Sequence, residues 1–287
     1  MSVVLLSQLL AKYKKISVVC HDSGGANVLN CLEKSIDRDI LYYGFGPAKE
    51  IFGRKCRSLD AELLKSDLVL TGTSGTSNAE LDIISMARAN GIATMSFLEH
   101  WTNYLTRFKR GDRLVLPDQI LVGDLYAKEL AIQTFGSDKV VHVNNPYLEH
   151  LLERAKHFEG SVLKSSLLYL GDTFDLPTQD REIQDSDGIL HSFLKRFTER
   201  FEISIINIRP HPSENKKNTF QSLRIEGIEV KFSSNDDLLT DILQHQYIAG
   251  YETMALFIAS HFKTEVFSSK PLSIGRTNLP TKKIVQF

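Results

Sequence analysis

The sequence predicts an α/β protein of two domains, each a parallel sheet covered by helices, the two sheets facing a central cleft. Three observations carry that expectation. Short apolar runs alternate with stretches of helical spacing, the pattern of successive βαβ units. The runs are apolar almost throughout, as strands buried on both faces are. The alternation halts near residues 155–165 and then begins again, which sets domains at 1–158 and 159–287. A chain of 287 residues suits two domains of ~100–200 residues each.

In the first half, ISVVCHD (16–22) reads as a strand that passes through a Gly-containing turn into the helix SGGANVLNCLEK. DILYYGF (39–45) is a second strand, SLDAELLKS a helix, and DLVLTGTS (67–74) a third strand with a small polar tip. SNAELDIISMARANG has apolar residues at helical spacing, with Gly91 as its C-cap. IATMSFLEHW (92–101), PDQILVGD (117–124) and KVVHVNNP (139–146) are strands, and LYAKELAIQTFG and YLEHLLERAKHF are helices, the first closed by Gly136. In the second half, KSSLLYLGDT (164–173) is a strand, the polar stretch 172–188 a loop, and ILHSFLKRFTERF an amphipathic helix. ISIINIRPHP and GIEVKFSS (227–234) are strands, and NDDLLTDILQ is a helix opened by a capping Asn or Asp. HQYIAGYET (245–253) is a strand and turn, MALFIASHF a buried helix, and TEVFSS (264–269) the final strand.

Lys and Arg number 34 against 35 Asp and Glu, which argues against wholesale nucleic-acid binding. Cys20, Cys31 and Cys56 are odd in number and lack metal-ligand spacing, so they read as free thiols of a reducing cytoplasm. In MSVVLLSQLLAKYKK the basic residues follow the apolar stretch, so it does not read as a signal peptide. No apolar run approaches the ~20 residues that span a bilayer. The expectation is a cytoplasmic protein, able to touch the inner face of the membrane through a partner or a surface patch.

Ligands of open α/β sheets bind outside the carboxyl ends of the strands, so the strand tips hold the candidate chemistry. HDSGGAN is either a plain tight turn or a site where Gly24 and Gly25 admit a ligand close to the backbone, with Asp22 and His21 as general bases. The dinucleotide and P-loop fingerprints are both missing from it. TGTSGTSNAE is either an N-cap from Thr76, Ser77 or Asn78, with Glu80 in the first turn, or a hydroxyl-rich loop offering Thr73, Ser74 and Ser77 to an acceptor. EHWTNYLTRFKRGDR carries Glu99, His100 and Trp101, and Trp101, Tyr104 and Phe108 could form an aromatic wall for a sugar ring or simply pack. Arg107, Lys109 and Arg110 face an anionic acceptor or water.

In the second half the tips are Gly171-Asp172-Thr173, Arg209-Pro210-His211-Pro212, Gly250-Tyr251-Glu252-Thr253 and Ser268-Ser269-Lys270. Two prolines end any strand and hold the residue between them extended, so His211 stands on a stiff loop, as a site residue or as an exposed terminator. Thr253 and Glu252 either cap the following helix or serve a donor phosphate and a ribose.

This layout resembles the GT-B fold of glycosyltransferases, two Rossmann-like domains. IRPHP followed by the GYET turn resembles bacterial sialyltransferases and CDP-glycerol glycerophosphotransferases, whose donors leave CMP behind. The resemblance implies that Asp22 is the general base, with Gly24 completing its motif and His21 as the substitute base. It implies that His211 and Pro212 form the His-Pro pair, the His contacting the CMP phosphate. Glu252 and Thr253 stand where the family binds nucleotide and phosphate, and Ser268 and Ser269 stand at its serine motif. The sequence departs in two places: Asp22 is followed by Ser and Gly instead of a second acid and Gly, and the chain stops soon after Ser269, so the helix that crosses back to the first domain is absent or reduced.

The implied function is transfer of a sugar, a sugar acid by preference, from a CMP-activated donor to a surface or capsular polysaccharide or glycolipid acceptor. Catalysis falls to Asp22, His21 and His211. Donor binding falls to Gly24, Gly25, Arg209, Pro212, Gly250, Tyr251, Glu252, Thr253, Ser268 and Ser269. Acceptor binding falls to Thr73, Ser74, Ser77, Glu99, His100 and Trp101. No metal and no cofactor besides the donor are called for, and a homodimer could complete the short second domain. UDP-sugar 2-epimerases and hydrolases share the architecture; there Glu99 or His100 would lead. A non-catalytic subunit of polysaccharide synthesis is the third reading.

Overall fold

The computed structural model describes residues 3–34, 36–172, 186–211, 223–233 and 237–287. The chain divides into two compact units, Met1–Leu152 and Glu153–Phe287.

The first unit is built on a seven-stranded sheet. Its strands are β1 (Lys15–Cys20), β2 (Asp39–Gly44), β3 (Cys56–Arg57), β4 (Leu68–Thr71), β5 (Ala93–Leu98), β8 (Gln119–Val122) and β9 (Val140–His142). All pair in parallel, in the order β3-β2-β1-β4-β5-β8-β9. A small antiparallel hairpin, β6 (Lys109–Arg110) with β7 (Arg113–Leu114), stands apart from it. The helices are α1 (Leu6–Leu10), α2 (Ser23–Asn30), α3 (Ala48–Phe52), α4 (Ala79–Ala89), α5 (Tyr104–Arg107), α6 (Leu125–Phe135) and α7 (Pro146–Ala155), the last continuing into the second unit.

The apolar runs become central strands because successive side chains feed two cores. Ile16, Val18 and Cys20 join Leu6, Leu10, Leu29 and Phe52 on one face, while Val19 joins Leu41, Tyr43, Val69 and Ile83 on the other. Burying each such side chain contributes ~1.5–3 kcal/mol. From β1 the chain runs outward to β2 and β3, then returns to β4 on the opposite side. The strand order therefore reverses between β1 and β4, and in open α/β sheets ligands bind at such a reversal, outside the carboxyl ends.

The second unit repeats the plan. Its strands are β10 (Leu163–Leu170), β11 (Ile205–Arg209), β12 (Glu229–Phe232), β13 (His245–Gly250), β14 (Val266–Ser268) and β15 (Ile284–Gln286), ordered β12-β11-β10-β13-β14-β15 and all parallel. Here the reversal falls between β10 and β13. Helices α8 (Ser186–Arg200), α9 (Leu238–Gln244) and α10 (Met254–Ala259) complete the unit. Its core is aromatic, with Phe193, Phe197 and Phe267 buried against Tyr169 and Tyr247.

Several local expectations change. SLDAELLKS is a five-residue 3₁₀ turn, Ala61–Lys65, instead of an α-helix. Only Leu63 is buried there, and Asp60 caps the turn by accepting from the Glu62 amide, so one leucine and one cap hold a single turn. TEVFSS is followed by a further strand, β15, paired to β14. Gly91, at φ +70, lies one residue past the Asn90 C-cap of α4. Asp237 is the cap of α9, accepting from the Thr240 amide. Residues 173–185 of the polar loop lie outside the described residues. No helix among the described residues is long and apolar enough to cross a membrane. The three cysteines are free.

Candidate functional site

In the first unit the site grows from the turn between β1 and α2. Asp22 has the extended backbone of an N-cap, φ −82 and ψ 150, yet its carboxylate does not cap α2. It turns to the neighbouring tip. Oδ1 accepts from His21 Nδ1 at 2.7 Å and from the Ser74 hydroxyl at 2.8 Å, and Oδ2 accepts from the Gly75 amide at 3.4 Å. The Ser74 hydroxyl also accepts from the Thr76 and Ser77 amides at 3.1 and 3.0 Å. Ser77 Oγ in turn accepts from the Ala79 amide at 3.1 Å, at the start of α4. The run of Thr, Gly and Ser is thus a mesh that fixes one carboxylate, while Asn78, the N-cap of α4, makes no side-chain cap bond among the described residues.

The glycines allow that mesh to close. Neither Gly24 nor Gly25 has a positive φ. A Cβ at Gly25 would lie 2.9 Å from the Gly72 Cα, and one at Gly24 would lie 2.9 Å from the Glu99 Cγ. They let α2 sit directly on the tips of β4 and β5. Gly46 has φ +45, and a side chain there would strike His21 Nε2 at 2.7 Å, so the imidazole is seated against bare backbone.

Beneath the turn lie two buried acids. Glu99, 7% exposed, accepts from the Thr73 hydroxyl at 3.1 Å and has Arg107 Nη1 3.6 Å away. Burial pushes its carboxyl up to about 7 despite the opposing Arg107 charge, and the nearby Asp22 adds to the rise. Glu80, 2% exposed, accepts from the His21 amide at 2.7 Å through Oε1. Its Oε2 is buried without a hydrogen-bond partner among the described residues. Burial, then the charges of Asp22 and Glu99, push it up to about 8. In the sequence Glu80 reads only as a first-turn acid. The available signal was an acid opening a helix directly after a polar strand tip.

Trp101, Tyr104 and Phe108 are all buried. The Trp101 indole donates to Asp124 at 2.8 Å, and Tyr104 and Phe108 pack on Phe135 with ring centroids 6.3 and 5.3 Å away. These rings line the interior of the unit and present no aromatic face. His100 Nδ1 lies 3.0 Å from the Thr102 hydroxyl. Lys109 and Arg110 are exposed, and Arg110 pairs with Asp82.

In the second unit the tips are tied to one another. Asp172 accepts from the Glu252 amide at 3.1 Å, joining β10 to the turn after β13. The Glu252 carboxylate takes Lys270 Nζ at 2.9 Å, the Asn278 amide, and Asn278 Nδ2 at 3.3 Å. Lys270 is 7% exposed and also donates to the Arg276 carbonyl at 3.1 Å. Thr253 caps α10 through the Ala255 amide, and Gly250 packs so closely that a Cβ would lie 2.9 Å from the Leu170 carbonyl oxygen. Ser268 donates to the Tyr251 carbonyl at 2.9 Å, and Ser269 Oγ lies 2.9 Å from the Tyr169 hydroxyl. Arg209 reaches Asp241, a fully buried acid on α9, at 2.6 Å, and Ser233 donates to the same oxygen at 2.6 Å. His211 is half-buried at the end of this segment, while Thr173 and Pro212 lie outside the described residues. Among the described residues no group of three or more His, Cys, Asp or Glu could hold a metal ion.

Two parallel α/β units with polar strand tips at their switch points define a protein of two Rossmann-like domains of the GT-B type, and solved structures share that fold. UDP-GlcNAc 2-epimerase from Methanocaldococcus jannaschii, in complex with UDP-GlcNAc and UDP, is similar at a TM-score of 0.63 and 13% identity, over 95% of this chain and 88% of that one. The S. aureus MnaA–UDP structure is similar at 0.58 and 12%, over 89% and 79%. The glycotransferase of kitacinnamycin is similar at 0.56 and 9%, over 96% and 86%. No protein-family model and no curated protein matches the chain.

Proposed function

We propose that the chain is a nucleotide-sugar-dependent glycosyltransferase whose first unit takes the acceptor and whose second unit takes the donor nucleotide. The donor is a CMP-activated sugar acid and the acceptor a surface polysaccharide, which brings the protein to the inner face of the membrane. One observation carries the reading. Asp22 lies at the switch point of the first sheet with its side chain 29% exposed, held by a hydroxyl, an amide and an imidazole. A general base must come within ~2.6–3.2 Å of the proton it removes, and Asp22 has both the fixed geometry and the access. Glu99, with a side chain 5% exposed beneath Gly24, has the geometry without the access. His211, at the tip after β11, meets the charge that develops on the departing phosphate, help worth ~3–4 kcal/mol for one well-placed donor.

A second reading, a UDP-sugar 2-epimerase, is favoured by the Glu99 carboxyl, pushed up to about 7 beside Asp22, since acids poised near neutrality suit proton exchange. Both are tested in one set of incubations. CMP- and UDP-activated sugars are supplied with oligosaccharide acceptors in D₂O, and products are read by mass spectrometry. Transfer from a CMP donor, abolished in Asp22→Asn, with CMP binding lost in His211→Ala by calorimetry, supports the transferase. Deuterium at C2 of a UDP-sugar, lost in Glu99→Gln, replaces it with the epimerase.

A further inference from the structure

Glu80 is a buried acid to which the proposed reaction assigns no role. It sits in the first turn of α4 and reaches back under the β1–α2 turn to the His21 amide, 2.7 Å from Oε1. The turn that carries Asp22 is therefore gripped twice: from above by Ser74 and Gly75 on the Asp22 carboxylate, and from below by Glu80 on the backbone one residue earlier. The upper contacts are partly exposed and the lower one is shielded, since Glu80 is 2% exposed.

We infer that Glu80 is the positioning residue for Asp22, setting the height of the β1–α2 turn by holding the His21 amide with its buried carboxyl group. The inference rests on Asp22 as the base. A carboxylate would place a third negative charge in the cluster and keep Oε2 buried without a hydrogen-bond partner among the described residues; a carboxyl keeps Oε1 as the acceptor and carries its proton on the other oxygen. The groups that face it are Cys20 on β1, His21 and Asp22 on the turn, and Glu99 at the β5 tip, with Arg107 of α5 beside Glu99. Among these, Asp22 and Glu99 oppose its ionisation, and burial opposes it most. The grip is then neutral up to about pH 8 and becomes charged above it, strengthening the hydrogen bond while repelling Asp22.

The test reads the grip directly. Amide NMR spectra of the full chain are followed from pH 6 to 10 in wild type, Glu80→Gln and Glu80→Leu. The expected result is a downfield step of the His21 amide proton centred near pH 8 in wild type and missing in Glu80→Gln. A flat His21 amide in wild type, or a step that survives in Glu80→Gln and so belongs to Cys20, His21, Asp22 or Glu99, overturns the inference whether or not any transfer is detected. Where transfer is detected, Glu80→Leu is expected to lower kcat by about 100-fold, the order of loss that follows a misplaced catalytic group, with the donor KM little changed. Glu80→Gln, which keeps the acceptor, should recover most of that loss. Equal losses in the two variants would also overturn the inference, and a thermal melt separates either result from unfolding. If the amide step is present and transfer is absent, the grip stands and the reading of Asp22 as base fails.

Discussion

The two units place polar residues at the same kind of position, the carboxyl ends of strands beside a switch point, and neutralise them by opposite means. In the second unit the acids are set against cations, Glu252 against Lys270 and Asp241 against Arg209. In the first, Asp22 and Glu80 are set against hydroxyls, amides and an imidazole, and Glu99 is met by the Thr73 hydroxyl and, as the one cation among the described residues, by Arg107. An ion pair fixes charge, whereas burial leaves Glu80 and Glu99 holding protons that they give up near pH 8 and 7.

The contrast can be broken most sharply at Lys270. Lys270→Met leaves Glu252, its side chain 12% exposed, with Asn278 as its remaining described partner; a fully buried pair broken this way costs ~3–5 kcal/mol, and this partly exposed one should lose less. Chemical denaturation should show that loss in the second unit while the fluorescence of Trp101, the only tryptophan, is unchanged in the first. A next test is Gly25→Ala. Its new Cβ would lie 2.9 Å from the Gly72 Cα, where both sides are backbone and neither can swing away. Overpacking of this kind costs ~1–3 kcal/mol, and here it should lower the Trp101 unfolding midpoint and uncouple Asp22 from Ser74. Retained stability with retained activity would show that α2 can slide, and that the mesh is looser than its distances imply.

The contrast also shows in the pH dependence, whose sign differs between units. Glu80 and Glu99 are raised from an ordinary 4.5 to about 8 and about 7. Between those limits the folded first unit binds more protons than the unfolded chain, so their contribution is complete below 4.5 and is lost as pH rises through about 7 and 8. In the second unit, burial pushes Asp237 up but hydrogen bonds from Arg154 and Thr240 outweigh it and hold the group below its ordinary 3.8. That contribution is present above 3.8 and is lost as pH falls through the lowered value. Urea midpoints from Trp101 fluorescence should therefore rise from pH 8 to pH 5, and those from the methyl signals of Ile206 and Ile208 should fall only in stronger acid. A parallel response of the two probes would erase the distinction.

Most of the fold was legible because its strands are long apolar runs closed by glycines and polar tips. What escaped was short and held by neighbours: α3, the two-residue strand β3, and β15, which exists because β14 offers it an edge. The helix expected over SLDAELLKS failed for the converse reason, a favourable composition with a single leucine to bury. Of the site, Asp22, Ser74 and Glu99 were legible as strand-tip residues. Glu80 was not, and Lys270 was legible as a tip residue without its Glu252 partner, because these contacts come from sheet order: β1 beside β4 brings residue 80 under residue 21, and β13 beside β14 brings residue 270 to residue 252. Residues 59 and 18 positions apart carry no pattern that local spacing can reveal.

The Ser74 mesh has a consequence for solvent exchange. The amides of Gly75, Thr76 and Ser77 belong to a loop at the surface, yet each is bonded, Gly75 to Asp22 and the other two to Ser74 Oγ. Such amides swap hydrogen for deuterium only when the loop opens. The weakest bond, at 3.4 Å, ends on the carboxylate proposed to receive the acceptor hydroxyl. A bound acceptor would compete for that oxygen, releasing Gly75 while Thr76 and Ser77 stay protected. One backbone position would then count occupancy of the site without any label, and would do so even in a variant that cannot turn over.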